Sequence, residues 1–469
     1  MTVPTGSSDT ASRVAERIKL VEPWEVFAES IRRFEIHLNG REIELERGPI
    51  SIEGYGIRLF RTKNGRTETG FQASTDLSEE GIRTVVGDAE AVSKHSDFPA
   101  KRVDLPSQAP RSSGDLEIVD HHLWERPSES LRDHVHALLA AFDGKRDVLP
   151  SFGSIRATLT DTSFANSAGL RYSYPQTSVD FEIAVKAFGG PEGKAPGEYW
   201  VNDSTRRLET SRVTADVDQW CTYARDVRRA VPPPTGDLPV VLPPDLLSTI
   251  LPSVIGYRFS GAARLRHFAP EPGSELGAPQ LTIRDDGRFP WGVSSSPVDD
   301  EGVPHGRRTL LEHGKAKDLL YDVLSAGAFD ESATGSALRG LTLGHRDWIR
   351  FSSPPGTGST TLVVDSGDGG SDLELVESAK DGVWVQQLGW AIPDPLSGAF
   401  GGEIRIGYRI RNGKLAEPVR GGTMGGVVMA PPGSPSLLRG VAGIGSTATL
   451  SDALCSPTLL VRNLTVAGA

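Results

Sequence analysis

Three consecutive prolines near the middle of the chain constrain its organisation more than any other stretch. Pro232, Pro233 and Pro234 lie within the segment 231–236. Each lacks the backbone N–H that a helix interior or a central strand requires. The segment therefore predicts a linker over residues 231–240 that divides the chain into two parts. The length of 469 residues allows more than one domain, each with its own apolar core.

The part before the linker, residues 13–230, combines strand and helix patterns. Between Phe34 and Ser74 apolar and polar residues alternate, and two Asn-Gly pairs mark tight hairpin turns. A second alternating run ends near Lys186, which predicts further antiparallel strands. Residues 1–12 are predicted to be disordered. Apolar periodicity predicts helices at Ala11–Val26, 128–142 and Leu208–Arg228.

The part after the linker, residues 241–469, is rich in glycine and in strand patterns. A helix is predicted at Asp245–Tyr257, interrupted by Pro252. Ile404, Ile406, Tyr408 and Ile410 alternate with charged or small residues ahead of an Asn-Gly turn. The predicted fold class is α+β with two domains. The N-terminal domain has an antiparallel sheet with helices, and the C-terminal domain is mostly antiparallel β, curved or barrel-like.

The charge balance and the cysteine content exclude several classes of function. The formal net charge is −11, which argues against binding to nucleic acid or to an anionic membrane. There are two cysteines, too few for a disulfide scaffold or a four-cysteine zinc site. No run of about 18 apolar residues is present, and no signal peptide is recognised at the N-terminus. These features predict a cytoplasmic protein.

An acidic turn followed by a hairpin carries the most distinctive motif. The turn is Asp299-Asp300-Glu301-Gly302-Val303-Pro304, and the strand Arg307-Arg308-Thr309-Leu310-Leu311-Glu312 follows it. A glycine and a proline shape the entry to this hairpin. The order of these pieces, from Asp285 to Phe329, resembles the TldD/PmbA family, also called the modulator of DNA gyrase family. Members carry Asp-Asp-Glu-Gly-x-Pro followed by Arg-Arg-Thr-x-Leu-Ile-Glu-x-Gly.

The resemblance implies a specific chemistry that this chain lacks. Catalytic members carry His-Glu-x-x-x-His on a helix, with zinc bound by the histidines and the glutamate acting as general base. None of the ten histidines here is followed by Glu. The helix expected to correspond, Asp245–Leu251, offers only apolar and hydroxyl groups besides its first residue. The sequence therefore resembles the PmbA or TldE branch, so we expect no catalytic residue and no metal in this chain, and zinc in a partner subunit.

Other candidate metal ligands are better explained without a metal. Cys455 has no histidine partners and is predicted to be a small buried side chain, as is Cys221. The pairs His121-His122 and His134-x-His136 are interpreted as surface residues. The loop 365–370 fails the spacing of a calcium loop, because glycines occupy ligand positions.

The resemblance also implies a partner and a substrate. It implies a heterodimer with a TldD-like zinc-bearing subunit that degrades or trims unfolded peptides, such as leader peptides of ribosomally synthesised natural products. The alternative is a stand-alone peptide-binding or regulatory homologue without peptidase activity. Candidate residues facing the substrate channel or the partner are Asp299, Asp300, Glu301, His305, Arg307 and Arg308. The competing interpretation of these residues is an ordinary solvated hairpin.

Overall fold

The N-terminal half is built on one twisted antiparallel sheet. The computed structural model describes residues 9–110, 116–189, 195–342, 345–431 and 433–468. The strands are β1 (Trp24–Asn39), β2 (Glu42–Lys63), β3 (Arg66–Ser74), β4 (Val148–Asn166), β5 (Arg171–Ala187) and β6 (Gly197–Thr205). They pair in the order β3-β2-β1-β4-β5-β6, and every pairing is antiparallel.

Helices cover one face of this sheet. They are α1 (Thr10–Ala15), α2 (Glu79–Ser93), α3 (His121–Glu125), α4 (Pro127–Ala140) and α5 (Val213–Arg229). The first two pack on β1 and β2, and the last two pack on β4 and β5. Alternation along each strand leaves the opposite face free to meet the C-terminal half.

The first predicted helix and the predicted disordered segment are both wrong in extent. Residues 1–8 lie outside the described part of the chain, but Thr10 already begins α1, with the Asp9 side chain accepting a hydrogen bond from the Ser12 N–H. The helix ends at Ala15, and strand β1 begins at Trp24. Pro23 disfavours helical geometry at Glu22, so the predicted continuation of the helix to Val26 is not possible.

The C-terminal half is a closed β-barrel with additional strands. Its strands are β7 (Gly236–Leu242), β8 (Ile283–Asp286), β9 (Arg307–Glu312), β10 (Lys315–Ala316), β11 (Ala337–Leu338), β12 (Leu341–Thr342), β13 (His345–Arg346), β14 (Gly356–Thr357), β15 (Leu362–Val364), β16 (Gly382–Gly389), β17 (Ala399–Arg411), β18 (Lys414–Val419), β19 (Thr423–Val427), β20 (Val441–Ser451) and β21 (Leu454–Ala467). Strands β7, β16, β17, β19 and β21 form a ring, because β7 pairs with both β16 and β21. Closure leaves no free edge in the ring.

Helices close the barrel and connect its strands. They are α6 (Pro244–Arg258), α7 (Gly261–Leu265), α8 (Val323–Phe329), α9 (Asp372–Ala379) and α10 (Leu437–Gly440). The apolar side of α6 joins the barrel core through Leu247, Ile250, Leu251 and Val254. The predicted α+β class, with an N-terminal antiparallel sheet and a barrel-like C-terminal part, is confirmed.

Two local predictions need correction. Helix α6 is not interrupted at Pro252 but runs continuously to Arg258, because burial of its apolar side in the barrel offsets the missing N–H. Part of the predicted linker 231–240 is also strand, since β7 begins at Gly236. The prolines themselves lie outside helices and strands. Among the described residues, no helix is long and apolar enough to cross a membrane.

Candidate functional site

A cavity of about 360 Å³ separates the uncovered face of the N-terminal sheet from the C-terminal half. Its volume lies in the range of ligand-binding pockets, about 300–1,000 Å³. One wall is the end of the sheet formed by β4, β5 and β6. The opposite wall is α6 with loops of the C-terminal half. Its lining residues include Thr158, Asp180, Pro252, Ser253, Tyr257 and Asp452.

The sheet wall is lined by hydroxyl groups. Strand β4 alternates so that Thr158 and Thr160 face the cavity while Ala157 and Leu159 face the helices. Ser204 lies on the same wall, where its hydroxyl donates a hydrogen bond of 2.8 Å to Asp180. The polar side of this alternating strand therefore becomes a binding surface.

The helix wall comes from the last two turns of α6. Pro252, Ser253, Gly256 and Tyr257 line the cavity. These positions share one side of the helix because residues three and four apart are neighbours. Gly256 allows the close approach of a loop, since a Cβ there would lie 2.5 Å from the Ser359 hydroxyl oxygen.

The cavity side of α6 has the spacing of the zinc motif without its chemistry. Pro252, Ser253 and Tyr257 stand at relative positions 1, 2 and 6, the positions of His, Glu and His in His-Glu-x-x-x-His. The segment predicted to correspond, Asp245–Leu251, is mainly buried in the barrel core instead. Proline, serine and tyrosine do not supply the His, Cys or carboxylate ligands that zinc requires. These residues therefore do not fit a zinc ion.

Two buried arginines brace the cavity from inside the protein. Arg206 donates to the carbonyl oxygens of Gly292 and Ser295, at 3.0 and 2.8 Å, and to the Gln176 side chain at 2.9 Å. Arg350 donates to Glu29 at 2.7 Å. Each guanidinium thus links the N-terminal sheet to the C-terminal half. The hydrogen bonds described for both guanidinium groups are made to protein atoms.

Carboxylates collect at one end of the cavity. Asp180 and Asp452 line it, and Asp203 lies behind them on β6. Burial, together with the charges of Asp452 and Asp245, raises the pKa of Asp203 to about 7. The electrostatic potential at this end therefore favours a cation.

The predicted acidic turn does not line the cavity or the surface. Asp299, Asp300 and Glu301 are each at most 2% exposed. The Asp299 carboxylate accepts hydrogen bonds from the backbone N–H groups of Glu301 and Val303 at 2.9 Å and of Ala337 at 3.0 Å. Burial raises its pKa to about 7. The prediction that these three carboxylates face a channel or a partner is corrected: they are internal.

The turn instead forms a buried ionic network between the two halves. Arg58 of β2 pairs with Glu301 and with Glu25, the latter at 3.0 Å. Arg339 pairs with the same Glu25 at 2.9 Å. All of these side chains are at most 5% exposed.

Arg350 extends the network to the next residues of β1. Its guanidinium pairs with Glu29 at 2.7 Å and with Asp300 at 3.1 Å, and it donates to the Thr162 hydroxyl at 2.7 Å. The Glu29 carboxylate also accepts the backbone N–H groups of Arg350 and Phe351, at 2.7 and 3.0 Å. Buried charges need charged or hydrogen-bonding partners of this kind, so the network holds the halves in one relative position.

The remaining predicted site residues are separated from the acidic turn. His305 is 6% exposed, and its Nδ1 lies 2.5 Å from the Gly335 carbonyl oxygen, to which it donates. Arg307 projects from β9 and pairs with Asp286 at 2.7 Å. Arg308 lies beside it, opposite Asp285 on β8. The six residues therefore do not form one wall.

The described residues contain no cluster of three His, Cys, Asp or Glu side chains that could hold a metal ion. Cys221 and Cys455 are free and buried. Burial lowers the pKa of His134, which lies on the α4 helix beside Thr210. The absence of zinc from the isolated chain remains a prediction.

The residues that line the cavity were not predicted as site residues from the sequence. The signal that was available is the run Thr158, Thr160 and Thr162, three hydroxyls on one side of a strand whose other side is apolar. The sequence alone did not show that this strand lies opposite the last two turns of α6.

Comparison with known proteins identifies the class. Residues 235–468 match the family described as PmbA/TldA metallopeptidase C-terminal domain. The TldD homologue of Buchnera aphidicola subsp. Acyrthosiphon pisum, named a metalloprotease, is 25% identical over 80% of this chain and 76% of its own length. The TldD homologue of Haemophilus influenzae is 28% identical over 42% of this chain, and Metalloprotease MJ0996 of Methanocaldococcus jannaschii is 25% identical over 43%. The matched stretch covers only 39% and 43% of the lengths of these last two relatives.

Solved structures share the fold of the whole chain. A modulator of DNA gyrase from Thermotoga maritima superposes with a TM-score of 0.80 at 19% identity, covering 98% of this chain and 99% of its own. TldE from Thermococcus kodakarensis gives a TM-score of 0.77 at 18% identity, with 98% and 99% covered. The barrel and the sheet thus define a TldD/TldE-type fold. The chain belongs to the PmbA/TldD family.

Proposed function

We propose that this chain is a non-catalytic, TldE-like subunit of a two-subunit zinc metallopeptidase. Its partner would be a TldD-like subunit that holds the zinc, and the complex would degrade or trim unfolded peptides such as leader peptides. The observation that carries the proposal is the cavity side of α6. There Pro252, Ser253 and Tyr257 have the spacing of the zinc motif but cannot bind zinc or act as its general base.

The chemistry of peptide hydrolysis supports different roles for the two subunits. A zinc peptidase needs metal ligands and a nearby carboxylate to activate water. In this chain the carboxylates that line the cavity, Asp180, Asp347 and Asp452, belong to no cluster of three potential metal ligands among the described residues. A chain that has the family fold but lacks the metal ligands and the general base can contribute to hydrolysis by binding substrate or by stabilising the active conformation of the catalytic subunit.

An exposed apolar loop supports the existence of a partner. The loop between β16 and β17 presents Trp390 with 80% exposure, Ile392 with 59% and Leu396 with 43%. Trp390 has a positive φ of 58°, a conformation that bulky residues rarely adopt. Exposed apolar patches of this kind commonly mark contact surfaces. We propose that the zinc-bearing subunit covers this loop.

The alternative is a stand-alone peptide-binding or regulatory homologue in the cytoplasm. It keeps the cavity and needs no second subunit. Regulation through direct contact with DNA is not favoured, because the net charge of −11 would repel phosphates.

Reconstitution tests the proposal. The TldD-like protein from the same genome is purified alone, and its cleavage of an unfolded peptide is measured with and without this chain. We expect this chain alone to be inactive and the mixture to cleave faster than the zinc protein alone. Full cleavage by the zinc protein alone, with no complex on size-exclusion chromatography, would exclude the subunit role and leave the stand-alone alternative.

A further inference from the structure

Two residues with buried hydroxyl groups line the cavity from opposite walls. Thr158 on β4 is 2% exposed, and the Ser253 hydroxyl oxygen on α6 is also buried. Within the part of the chain that the structure describes, neither side-chain oxygen has a hydrogen-bond partner. Burial of a polar group without a partner costs stability. A ligand that hydrogen-bonds both groups would remove this cost.

The other lining groups indicate the kind of ligand. Eight lining residues are serine or threonine: Thr158, Thr160, Ser178, Ser204, Ser253, Ser294, Thr357 and Ser359. A hydroxyl can both donate and accept, so it suits a ligand that offers both kinds of group. The guanidinium groups of the two lining arginines donate to protein atoms, whereas three carboxylates also line the cavity, Asp180 and Asp452 at one end and Asp347. An anionic ligand is therefore disfavoured and a cationic group is favoured.

An extended polypeptide fits these requirements. Its backbone presents N–H and C=O groups toward two opposite sides, as strands do in a sheet. Hydroxyls on opposite walls can therefore each bond one side of the same chain. The volume of about 360 Å³ is suited to a short segment.

We propose that the cavity of this chain is itself a peptide-binding site. The hydroxyls of Thr158 and Ser253 would bond the backbone of an extended segment, and a basic side chain of that segment would lie at the end lined by Asp180 and Asp452. This inference rests on the proposed function and deepens it. This non-catalytic chain would hold part of the substrate in its own cavity.

Fluorescence anisotropy on the isolated full-length chain tests the site. The probes are two fluorescein-labelled, N-acetylated octapeptides of alanine and serine, one with two lysines and one with two glutamates in their place. We expect the lysine peptide to bind at least about tenfold more tightly. Equal binding of the two peptides, or binding of neither, overturns the inference.

Substitutions separate a ligand role from a structural one. Thr158→Val and Ser253→Ala should each weaken binding of the lysine peptide about three- to tenfold, the range expected for one hydrogen bond. Thr158→Val should leave the melting temperature unchanged or raised, because it removes an unpartnered hydroxyl at nearly constant volume. The matched control is Thr69→Val on β3, whose buried hydroxyl is likewise unpartnered among the described residues. It should bind like the wild type.

Two results would count against the site. Wild-type affinity in both Thr158→Val and Ser253→Ala overturns it, and so does a loss in Thr69→Val equal to theirs. The reconstitution assay tests the subunit role independently of this site. Cleavage by the mixed subunits can increase even if this chain alone binds no peptide.

Discussion

Removing Arg350 should destabilise the junction between the two halves far more than removing an exposed arginine. Arg350→Met keeps much of the side-chain length but leaves the Glu29 and Asp300 carboxylates without their guanidinium. Both carboxylates are fully buried. Breaking a buried ion pair in this way costs about 3–5 kcal/mol. The backbone N–H groups that still bond Glu29 place the expected loss toward the lower value.

Urea denaturation followed by tryptophan fluorescence measures the change in the free energy of unfolding. The control Arg83→Ala removes an exposed pair with Glu79 on α2, where the two atoms are 3.6 Å apart, and should have no measurable effect. Adding Glu29→Gln to Arg350→Met should recover part of the loss, because one buried charge disappears. If Arg350→Met and Arg83→Ala lose the same stability, the network does not hold the halves together.

Three further predictions concern the metal, the partner and pH. Elemental analysis of the isolated chain should find no stoichiometric zinc, and one tightly bound zinc lost in Cys455→Ser would contradict this. Trp390→Ser should weaken the complex with the zinc-bearing subunit at least about tenfold in pull-down titrations, whereas the exposed Trp200→Ser on β6 should not. The pKa of Asp203 is raised from 3.8 to about 7, so its stabilising protonated form is lost as pH rises from about 4 to 7. Asp203→Asn should therefore stabilise the protein by about 1–2 kcal/mol at pH 8 but not at pH 4, measured by denaturation at both pH values; a gain at pH 4 as large as that at pH 8 would refute the titration.

Regular alternation made the strands predictable. Each strand of the N-terminal sheet has one face against helices, so apolar residues recur at every second position, as at Val179, Phe181 and Ile183. Asn-Gly turns then fix hairpin pairing. Helix ends were less predictable, because tertiary packing decides whether α6 continues past Pro252.

The acidic turn shows why site prediction failed where strand prediction succeeded. A run of three acidic residues is ordinarily solvated, and its burial depends on Arg58 and Arg339, which lie far from it in the sequence. The cavity posed the same difficulty, since Thr158 and Ser253 belong to different halves. Sequence patterns report local environment, whereas these sites depend on how two halves meet.

The ring of strands in the C-terminal half has a consequence for synthesis on the ribosome. Strand β7, at residues 236–242, closes the barrel by pairing with β21, for example Leu242 with Leu459. The N-terminal sheet is complete once β6 ends at Thr205, so it can fold while translation continues. The apolar surfaces of β7 and α6 cannot be fully buried until the last strand, β21, has emerged from the ribosome. Nascent chains stalled before residue 454 should therefore expose these surfaces and recruit chaperones until translation resumes.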